Sequence, residues 1–312
     1  MNPRKAVKTF VKTLPPIRGF LAERDALIAE RNALREAHGM APPGHFYSPI
    51  VSIEELSKDT ARIFREANRV IPGVAMNEDG QLDLLSTFET YYPTMPFTET
   101  KSEGGRYCFD NSVFTYPDAI ILHCMIRYLR PKRIVEVGSG FSSCATLDTN
   151  EKFFHNSIET TFIEPYPKLL ESLITAEDRQ RVTIIPLRLQ DVDVELFERL
   201  ERNDILFIDS THVSKTGSDV NSLFFDILPA LKPGVHVHIH DVFYPFEYPQ
   251  EWVFGGRSWN ELYLLHAFLQ YNEKFKIVFM NNFMQQFHEA RFRERMPLYL
   301  KNPGGSIWLR RE

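Results

Sequence analysis

The hydrophobic residues after about position 113 follow two alternating patterns. Short apolar runs bounded by turn residues are typical of buried strands, and the segments between them repeat apolar residues at helical spacing. Strands that alternate with helices in this way predict a mostly parallel sheet with helices on both faces. The predicted strands are Arg133–Val137, Thr160–Glu164, Val182–Pro186, Ile205–Asp209, Val235–His240, Phe275–Met280 and Ser306–Arg310.

Helix-start signals lie between these strands, and the predicted starts are near Ser142, Pro167, Val194, Ser218 and Trp259. A further helix opens at Pro117 and Asp118, ahead of the first strand. No helical pattern is apparent between the last two strands, so the seventh strand is expected to return antiparallel beside the sixth. The predicted fold class is therefore α/β, with a seven-stranded, mostly parallel sheet whose last strand is antiparallel.

Residues 1–45 are interpreted as an N-terminal helical extension. Apolar residues of its first segment lie opposite lysines, and Pro15 and Pro16 interrupt that pattern. In its second segment Phe20, Leu27 and Leu34 recur every seven residues. Two heptads are fewer than the roughly three to four that are typical of a coiled coil. Three alternatives remain: the helix docks on its own chain, joins copies into a homo-oligomer, or contributes to peripheral membrane contact through residues 1–20.

Residues 46–112 are predicted to form a cap of short helices and loops before the sheet domain, residues 113–312. Within the cap, Ile53–Ala67 has helical spacing. Tyr91–Phe109 is rich in proline, glycine, threonine and aromatic residues and shows no clear period. This stretch is interpreted either as a lid or as a covering layer.

Composition and charge narrow the class of protein. Of the 312 residues, 43% are hydrophobic and 25% are charged, as in ordinary soluble globular proteins. The net charge is −5, although the first 20 residues contain five basic residues and no acidic one. An acidic body disfavours a large nucleic-acid interface. Three cysteines without a CxxC pair, and no signal-like segment, indicate a cytoplasmic protein with neither a disulfide framework nor a zinc-thiolate site.

A glycine turn joins the first predicted strand to its helix. Gly138 and Gly140 follow an apolar strand, and such glycines let the backbone turn tightly and approach a ligand. The third glycine of a dinucleotide fingerprint is missing, because Ser143 occupies its place. Glu136, two residues before the first glycine, suits a cationic nucleoside better than a pyrophosphate.

The segment Glu136-Val-Gly-Ser-Gly140 resembles motif I of the class I S-adenosylmethionine-dependent methyltransferases. The resemblance extends over about residues 107–312 and implies a Rossmann-like sheet with S-adenosyl-L-methionine as cofactor. It also implies that Glu164 binds the ribose hydroxyls and that Gln190 and Asp191 lie at the adenine. The candidate cofactor-binding residues are Glu136, Gly138, Ser139, Gly140, Ser142, Ser143, Glu164, Gln190, Asp191 and Asp209.

A second group of polar residues follows two neighbouring strands. Asp209 and His212 come after the fourth strand, and His240 and Asp241 end the fifth. Ligands of open α/β sheets bind beyond these carboxyl ends, so the four side chains are expected to share one pocket. Oxygen-rich sites suit Mg²⁺, and Mn²⁺ is a plausible substitute.

This arrangement resembles the metal-dependent O-methyltransferases of the catechol and macrolide-sugar types, the latter through Asp209-x-x-His212. The resemblance implies a metal held by Asp209, His240 and Asp241, with His212 as the catalytic base. A metal-free enzyme that uses His212 or His240 as base is the alternative. The implied function is O-methylation of a hydroxyl on a sugar, a glycan or a glycosylated small molecule.

The loop after the fifth strand contains Tyr244, Trp252 and Trp259, which are interpreted either as a stacking platform for a sugar or as a packed cap. Arg257 in the same loop can hold an acidic group. His236 and His238 are expected to be buried and hydrogen-bonded. Two other functions stay open: an NAD-dependent nucleotide-sugar oxidoreductase, and a non-catalytic scaffold with a methyltransferase-like fold.

Overall fold

The computed structural model describes residues 15–37, 39–65 and 68–312, and its chain divides into two units, Met1–Arg65 and Glu66–Glu312. The first predicted amphipathic segment, residues 1–14, lies outside the described residues. The three-part division into extension, cap and sheet domain stays a prediction. No helix in the described part is long and apolar enough to cross a membrane.

The first unit contains helices α1 (Pro15–Ala37) and α2 (Ile53–Ile63). Helix α1 begins at the prolines, which are tolerated in a first turn because its N–H groups have no helical partner. Its three heptad residues are exposed, with Phe20 at 70%, Leu27 at 59% and Leu34 at 53%. Helix α2 is capped by Ser52, whose hydroxyl accepts a hydrogen bond from the Glu55 amide at 3.3 Å.

Within the described residues of the second unit, seven strands form one sheet in the order β3-β2-β1-β4-β5-β7-β6. Strands β1 to β5 pair in parallel, and β7 is antiparallel to both β5 and β6. The predicted α/β class and antiparallel last strand are therefore confirmed. The strands are β1 (Arg133–Val137), β2 (Glu159–Ile163), β3 (Thr183–Ile185), β4 (Ile205–Ile208), β5 (His236–His240), β6 (Phe275–Met280) and β7 (Ser306–Arg311).

The remaining α-helices of the second unit lie before, between and after these strands. They are α3 (Glu78–Tyr91), α4 (Tyr116–Leu129), α5 (Phe141–Phe154), α6 (Lys168–Leu173), α7 (Ala176–Arg181), α8 (Glu195–Glu198), α9 (Asp219–Ser222), α10 (Leu228–Ala230), α11 (Gln250–Phe254), α12 (Glu261–Leu269) and α13 (Asn281–Arg295). The segment Leu223–Ile227 between α9 and α10 is a π turn. Short 3₁₀ turns lie at Tyr92–Thr94, Leu189–Asp191 and Pro297–Lys301.

Helix α13 corrects the expectation that no helix separates the last two strands. It has 15 residues, but its backbone leaves helical geometry at His288 (φ −133°, ψ 27°). This kink interrupts the apolar spacing, and the second half of the helix is strongly charged. Phe283, Met284 and Phe292 are nevertheless buried, so tertiary packing supports a helix that the local pattern does not reveal.

The stretch Tyr91–Phe109 is a covering layer in the structure. Tyr107 and Phe109 are buried at 1% and 3% exposure. The guanidinium of the adjacent Arg106 forms salt bridges with Asp148 (2.8 Å), Glu151 (2.6 Å) and Asp178 (2.6 Å). The hydrogen bond to Asp178 contributes most to raising the pKa of Arg106, so this buried cation stays charged. The three acidic partners of Arg106 lie on α5 and α7, so these salt bridges connect the covering layer to the two helices.

The register of the parallel strands creates the functional edge. Val137 is paired with Ile163 on one side and with Ile208 on the other, and Ile208 is paired with Ile239. The next residue of each strand therefore lies in one row at the carboxyl edge. That row is Glu164, Gly138, Asp209 and His240.

Candidate active site at the carboxyl edge of the sheet

The glycine turn is shaped by a close approach of two strand ends. Gly138 has φ +78°, and a side chain there would overlap the carbonyl oxygen of Asp209. Its amide donates to the Ile163 carbonyl at 3.0 Å and so extends the β1–β2 pairing. Gly138 is thus needed for the sheet edge itself, whereas Gly140 has room for a Cβ with Leu169 at 3.4 Å.

Glu136 is fully buried beneath the turn. Its Oε1 accepts hydrogen bonds from the hydroxyls of Ser142 at 2.5 Å and Ser143 at 2.9 Å. Burial raises the pKa of Glu136 to about 8, although these two donors oppose the shift. Its Oε2 and the Ser139 hydroxyl are both buried without a hydrogen-bond partner in the described residues. Buried polar atoms are normally satisfied, so these two are suited to a ligand seated on the turn.

Glu164 connects the turn to the second strand. One carboxylate oxygen accepts from the Tyr166 amide at 2.8 Å, and the other accepts from the Ser139 amide at 3.3 Å. The side chain is half-buried, so part of it faces the space above the glycines. A carboxylate in this place can accept hydrogen bonds from the vicinal hydroxyls of a ribose.

Gln190 and Asp191 lie in the 3₁₀ turn after β3, and both are exposed. Asp191 is paired with Arg188 at 2.8 Å, and the Gln190 amide donates to the Gly217 carbonyl at 2.8 Å. The Arg188–Asp191 pair lies at the protein surface, and the Gln190 hydrogen bond connects the turn to the loop after β4. The adenine contact of the two residues stays a prediction.

A compact acidic cluster lies beside the glycine turn. Asp209, His212 and Asp241 each offer one ligand atom, and these atoms lie within 4.8 Å of one another. The His212 Nε2 is 3.3 Å from Asp209 Oδ1 and 3.5 Å from Asp241 Oδ2. The four polar residues at the β4 and β5 ends do share one pocket, and His212 is the imidazole that faces both carboxylates.

His212 is oriented by Glu261, a residue that the sequence interpretation missed. The His212 Nδ1 lies 2.8 Å from Glu261 Oε2, and the Ser210 hydroxyl donates to both Glu261 oxygens at 3.0 Å. Glu261 is 2% exposed and is the first residue of α12. It is 49 positions away in the chain, so no local spacing links it to His212.

The electrostatics of the cluster centre on this imidazole. Burial alone would lower its pKa, but hydrogen bonds to Asp209 and Glu261 and the charge of Asp241 raise the pKa of His212 to about 10. Burial raises the pKa of Asp241. Burial acts to raise the pKa of Asp209, but the hydrogen bond from His212 and the charges of His240 and His212 together outweigh it, so the pKa of Asp209 falls below its usual value. In the absence of another cation, the imidazolium is the positive charge that balances the carboxylates.

His240 lies behind Asp241 rather than among the cluster atoms. Its Nε2 is 3.7 Å from Asp241 Oδ1, and its ring packs against Phe114 at a centroid distance of 5.3 Å. It lines the same pocket. Its assignments as a metal ligand and as an alternative base stay predictions, and the geometry offers His212 as a third ligand beside the two aspartates.

His236 and His238 are buried as expected, at 5% and 0% exposure, but the expected hydrogen bonds are missing at His238. Neither ring nitrogen of His238 has a partner in the described residues. The ring stacks on Phe207 at 3.9 Å and contacts Trp308 at 4.9 Å. Aromatic packing, rather than polar pairing, holds this histidine.

A pocket of about 700 Å³ encloses the cluster. Trp252, Arg257 and Trp259 line its mouth, and the Trp259 ring lies 4.4 Å from the His212 ring. Tyr244, which was interpreted either as part of a stacking platform or as part of a packed cap, is buried, and its hydroxyl donates to the Asn68 carbonyl. The two tryptophans line the pocket, and their role as a stacking platform stays a prediction.

Comparison with known proteins identifies a methyltransferase domain in the chain. Residues 135–242 match a family model described as a methyltransferase domain. An uncharacterised protein of Archaeoglobus fulgidus is 38% identical over 176 residues, which are 55% of this chain and 78% of that protein. Residues 135–242 are therefore a methyltransferase domain.

Solved structures of similar fold include the SAH-bound methyltransferase PaMTH1 of Podospora anserina. It has 15% identity and a TM-score of 0.40, and the match covers 84% of this chain and 97% of that chain. The O-methyltransferase TomG of Streptomyces achromogenes, described as involved in tomaymycin synthesis, has 14% identity and a TM-score of 0.42, with coverage of 82% and 96%. At these values neither likeness carries an inference about the acceptor.

The glycine turn fits S-adenosylmethionine, the methyl donor that the resemblance of Glu136–Gly140 to motif I predicts. The unpartnered Glu136 oxygen lies below the turn, the unpartnered Ser139 hydroxyl belongs to the turn itself, and the Glu164 carboxylate lies at its side. S-adenosylmethionine carries two cationic groups and a ribose with two hydroxyls, which match this set of oxygen atoms. The individual contacts of the predicted cofactor-binding residues stay predictions.

Replacement of Glu164 by alanine is expected to raise the Kd for S-adenosylmethionine at least about tenfold, since a hydrogen bond to a charged group contributes about 1.5–3 kcal/mol. Calorimetric titration measures this change. The matched control is Glu159→Ala at the exposed amino end of the same strand, which should leave the Kd unchanged. Equal affinity in Glu164→Ala and the control would contradict the ribose assignment.

Proposed function

We propose that this methyltransferase domain transfers a methyl group from S-adenosylmethionine to a hydroxyl group of a sugar, a glycan or a glycosylated small molecule, and that a divalent cation is held by Asp209 and Asp241, with His212 as the base beside it. One observation carries the proposal. The acidic cluster adjoins the cofactor turn, because Asp209 contributes its carboxylate to the cluster and its carbonyl oxygen to the contact with Gly138. A hydroxyl beside Asp209 would therefore lie next to the methyl donor.

The donor set suits a hard divalent cation such as Mg²⁺ or Mn²⁺. The carboxylates of Asp209 and Asp241 have ligand atoms within 4.8 Å of each other, which is a span that one ion can bridge, and the His212 Nε2 beside them is left to accept a proton. Such a cation would act as a Lewis acid toward an acceptor hydroxyl and would supply the positive charge that the imidazolium otherwise provides.

Backbone strain supports a functional role for this cluster. His212 has φ +59° and Asp241 has φ +55°, in the left-handed region that most residues avoid. Such conformations cost about 1–3 kcal/mol each and tend to persist where function requires them. The His212 carbonyl accepts bonds from the Asn260 and Glu261 amides at 3.0 and 3.1 Å, which hold this conformation in place.

His212 is placed to take the proton of the acceptor. The contact with Glu261 occupies Nδ1, so that Nδ1 donates to the carboxylate and Nε2 is directed to the pocket. A neutral imidazole in this orientation can accept a hydroxyl proton at Nε2 as the oxygen attacks the methyl group. Asp209 and Asp241 then orient the acceptor oxygen through the site they form.

The two tryptophans at the pocket mouth support a sugar as the acceptor. Trp252 and Trp259 are half-buried and line the pocket, and their rings meet edge to face at 5.6 Å. Aromatic faces bury the apolar face of a pyranose while its hydroxyls remain free for polar groups. Asp118 and Asn302 line the same pocket and offer such partners.

The test is transfer of a labelled methyl group from S-adenosylmethionine to a panel of glycosides, catechols and amines. We expect the label in a sugar O-methyl ether, with activity falling at least about tenfold after exhaustive chelation and returning with Mg²⁺ or Mn²⁺. Unchanged turnover after chelation would contradict the metal. Transfer to catechols or amines with no transfer to any sugar would contradict the acceptor class.

A further inference from the structure

Arg257 lies at the mouth of the active-site pocket and is held by two tryptophan rings. Its guanidinium carbon is 3.9 Å from the centre of the Trp252 ring and 5.0 Å from that of Trp259. Its backbone amide donates to the Trp252 carbonyl at 3.1 Å. The stack constrains a side chain that would otherwise be flexible on an exposed loop.

No salt bridge joins Arg257 to an acidic side chain in the part of the chain that the structure describes. Other arginines of this unit have carboxylate partners, such as Arg106 with Asp178 and Arg291 with Glu89. A guanidinium stacked on a ring uses its face, whereas its N–H donors project from its edge. Arg257 therefore offers an unused, planar set of donors at the pocket mouth, and such a fork matches a carboxylate or a phosphate.

Trp259 connects this arginine to the reacting end of the pocket. Its ring lies 4.4 Å from His212 on one side and has the Arg257 guanidinium within 5.0 Å. A group bound by Arg257 would thus lie against the same tryptophan as the histidine. A pyranose packed on this ring can direct an anionic substituent to Arg257 and a hydroxyl to His212.

We propose that Arg257 forms an oxyanion subsite, so that the preferred acceptor is a sugar with a carboxylate or phosphate beside the methylated hydroxyl. This inference rests on the proposed function and narrows its acceptor class. The anion neutralises the unpaired guanidinium, the sugar ring packs on the tryptophans, and the hydroxyl reaches the Asp209–His212–Asp241 cluster.

The test uses acceptor pairs that differ at one position: hexopyranosides, the matching hexuronates and the matching 6-phosphates. For the wild-type protein we expect kcat/KM to be at least tenfold higher for an anionic member than for its neutral partner. In Arg257→Gln this ratio should fall to near one, and Arg257→Lys should retain only part of it because lysine lacks the planar fork. The better of the two anions identifies the oxyanion.

Arg293→Gln is the matched control, because Arg293 is exposed on α13 and paired with Glu289. It should keep the wild-type ratio. Equal rates on neutral and anionic acceptors in the wild type, or a preference that survives in Arg257→Gln, would overturn the inference while leaving sugar methylation standing.

Ligand-observed NMR binding of the same sugars separates the two proposals. Binding of an anionic sugar that is lost in Arg257→Gln, without methyl transfer to any sugar, would support the subsite and contradict the proposed function. If the wild type neither binds nor methylates any member of the panel, both are overturned.

Discussion

Asp241→Asn is expected to remove the stimulation of methyl transfer by divalent cations and to lower kcat/KM about 100-fold or more, as even the partners of metal ligands cost 10–100-fold when lost. Asp241 supplies one of the two carboxylates of the cluster and approaches His212 at 3.5 Å. Asparagine has the same shape and tolerates the left-handed backbone at this position, so the fold should persist.

The measurement is the Mg²⁺ dependence of initial rates, together with calorimetric titration of S-adenosylmethionine. Cofactor affinity should be retained, because Asp241 lies on the acceptor side of the pocket. Asp226→Asn, an exposed carboxylate in the π turn, is the matched control and should behave as the wild type. Full, metal-stimulated activity in Asp241→Asn would exclude Asp241 as a ligand.

Loss of the His212 imidazole is expected to lower kcat by about 10²–10⁴-fold, the usual contribution of a general base. Asparagine is the replacement of choice, because its tolerance of φ +59° avoids the added strain of alanine. Because the two aspartates hold the cation in this proposal, metal affinity should be largely retained. Binding of S-adenosylmethionine should change little.

Saturating Mg²⁺ separates the two roles of His212. If the residue acts as a base, His212→Asn stays slow at saturating metal; if it acts solely as a ligand, excess metal restores the rate. The control is His155→Asn, an exposed left-handed position at the end of α5. Turnover equal to that of the wild type in His212→Asn would contradict the base assignment, and His240 would be the next candidate.

The strands along the chain and the glycine turn were predictable from the sequence because their signals are local. A glycine pair after an apolar strand, and acidic residues directly after strands, can be recognised without knowing the partner strands. The predicted strand edges agree with the structure to within one or two residues, as at β1 and β6. Register then follows from parallel pairing, which lines up Glu164, Gly138 and Asp209 at one edge.

Contacts between residues far apart in the chain could not be predicted from local sequence patterns. Helix α13 is stabilised by burial of Phe283 and Phe292 despite its kink, and the covering layer is fastened by Arg106 through acids that are 42 and 72 positions away. Neither kind of contact produces a periodic pattern of apolar or charged residues within its own segment. Tyr244 was open between a stacking platform and a packed cap for the same reason; the structure packs it against residues of α13.

The sequence by itself therefore determined the sheet, the glycine turn and which strand ends carry acids, because spacing along one chain segment specifies each of them. Only the tertiary structure decided which histidine joins the carboxylates. A left-handed backbone turns His212 toward Asp209 and Asp241, and Glu261 reaches its other nitrogen from a helix 49 positions away. Residues that far apart meet through the packing of α12 against the end of β4, and no local pattern encodes that contact.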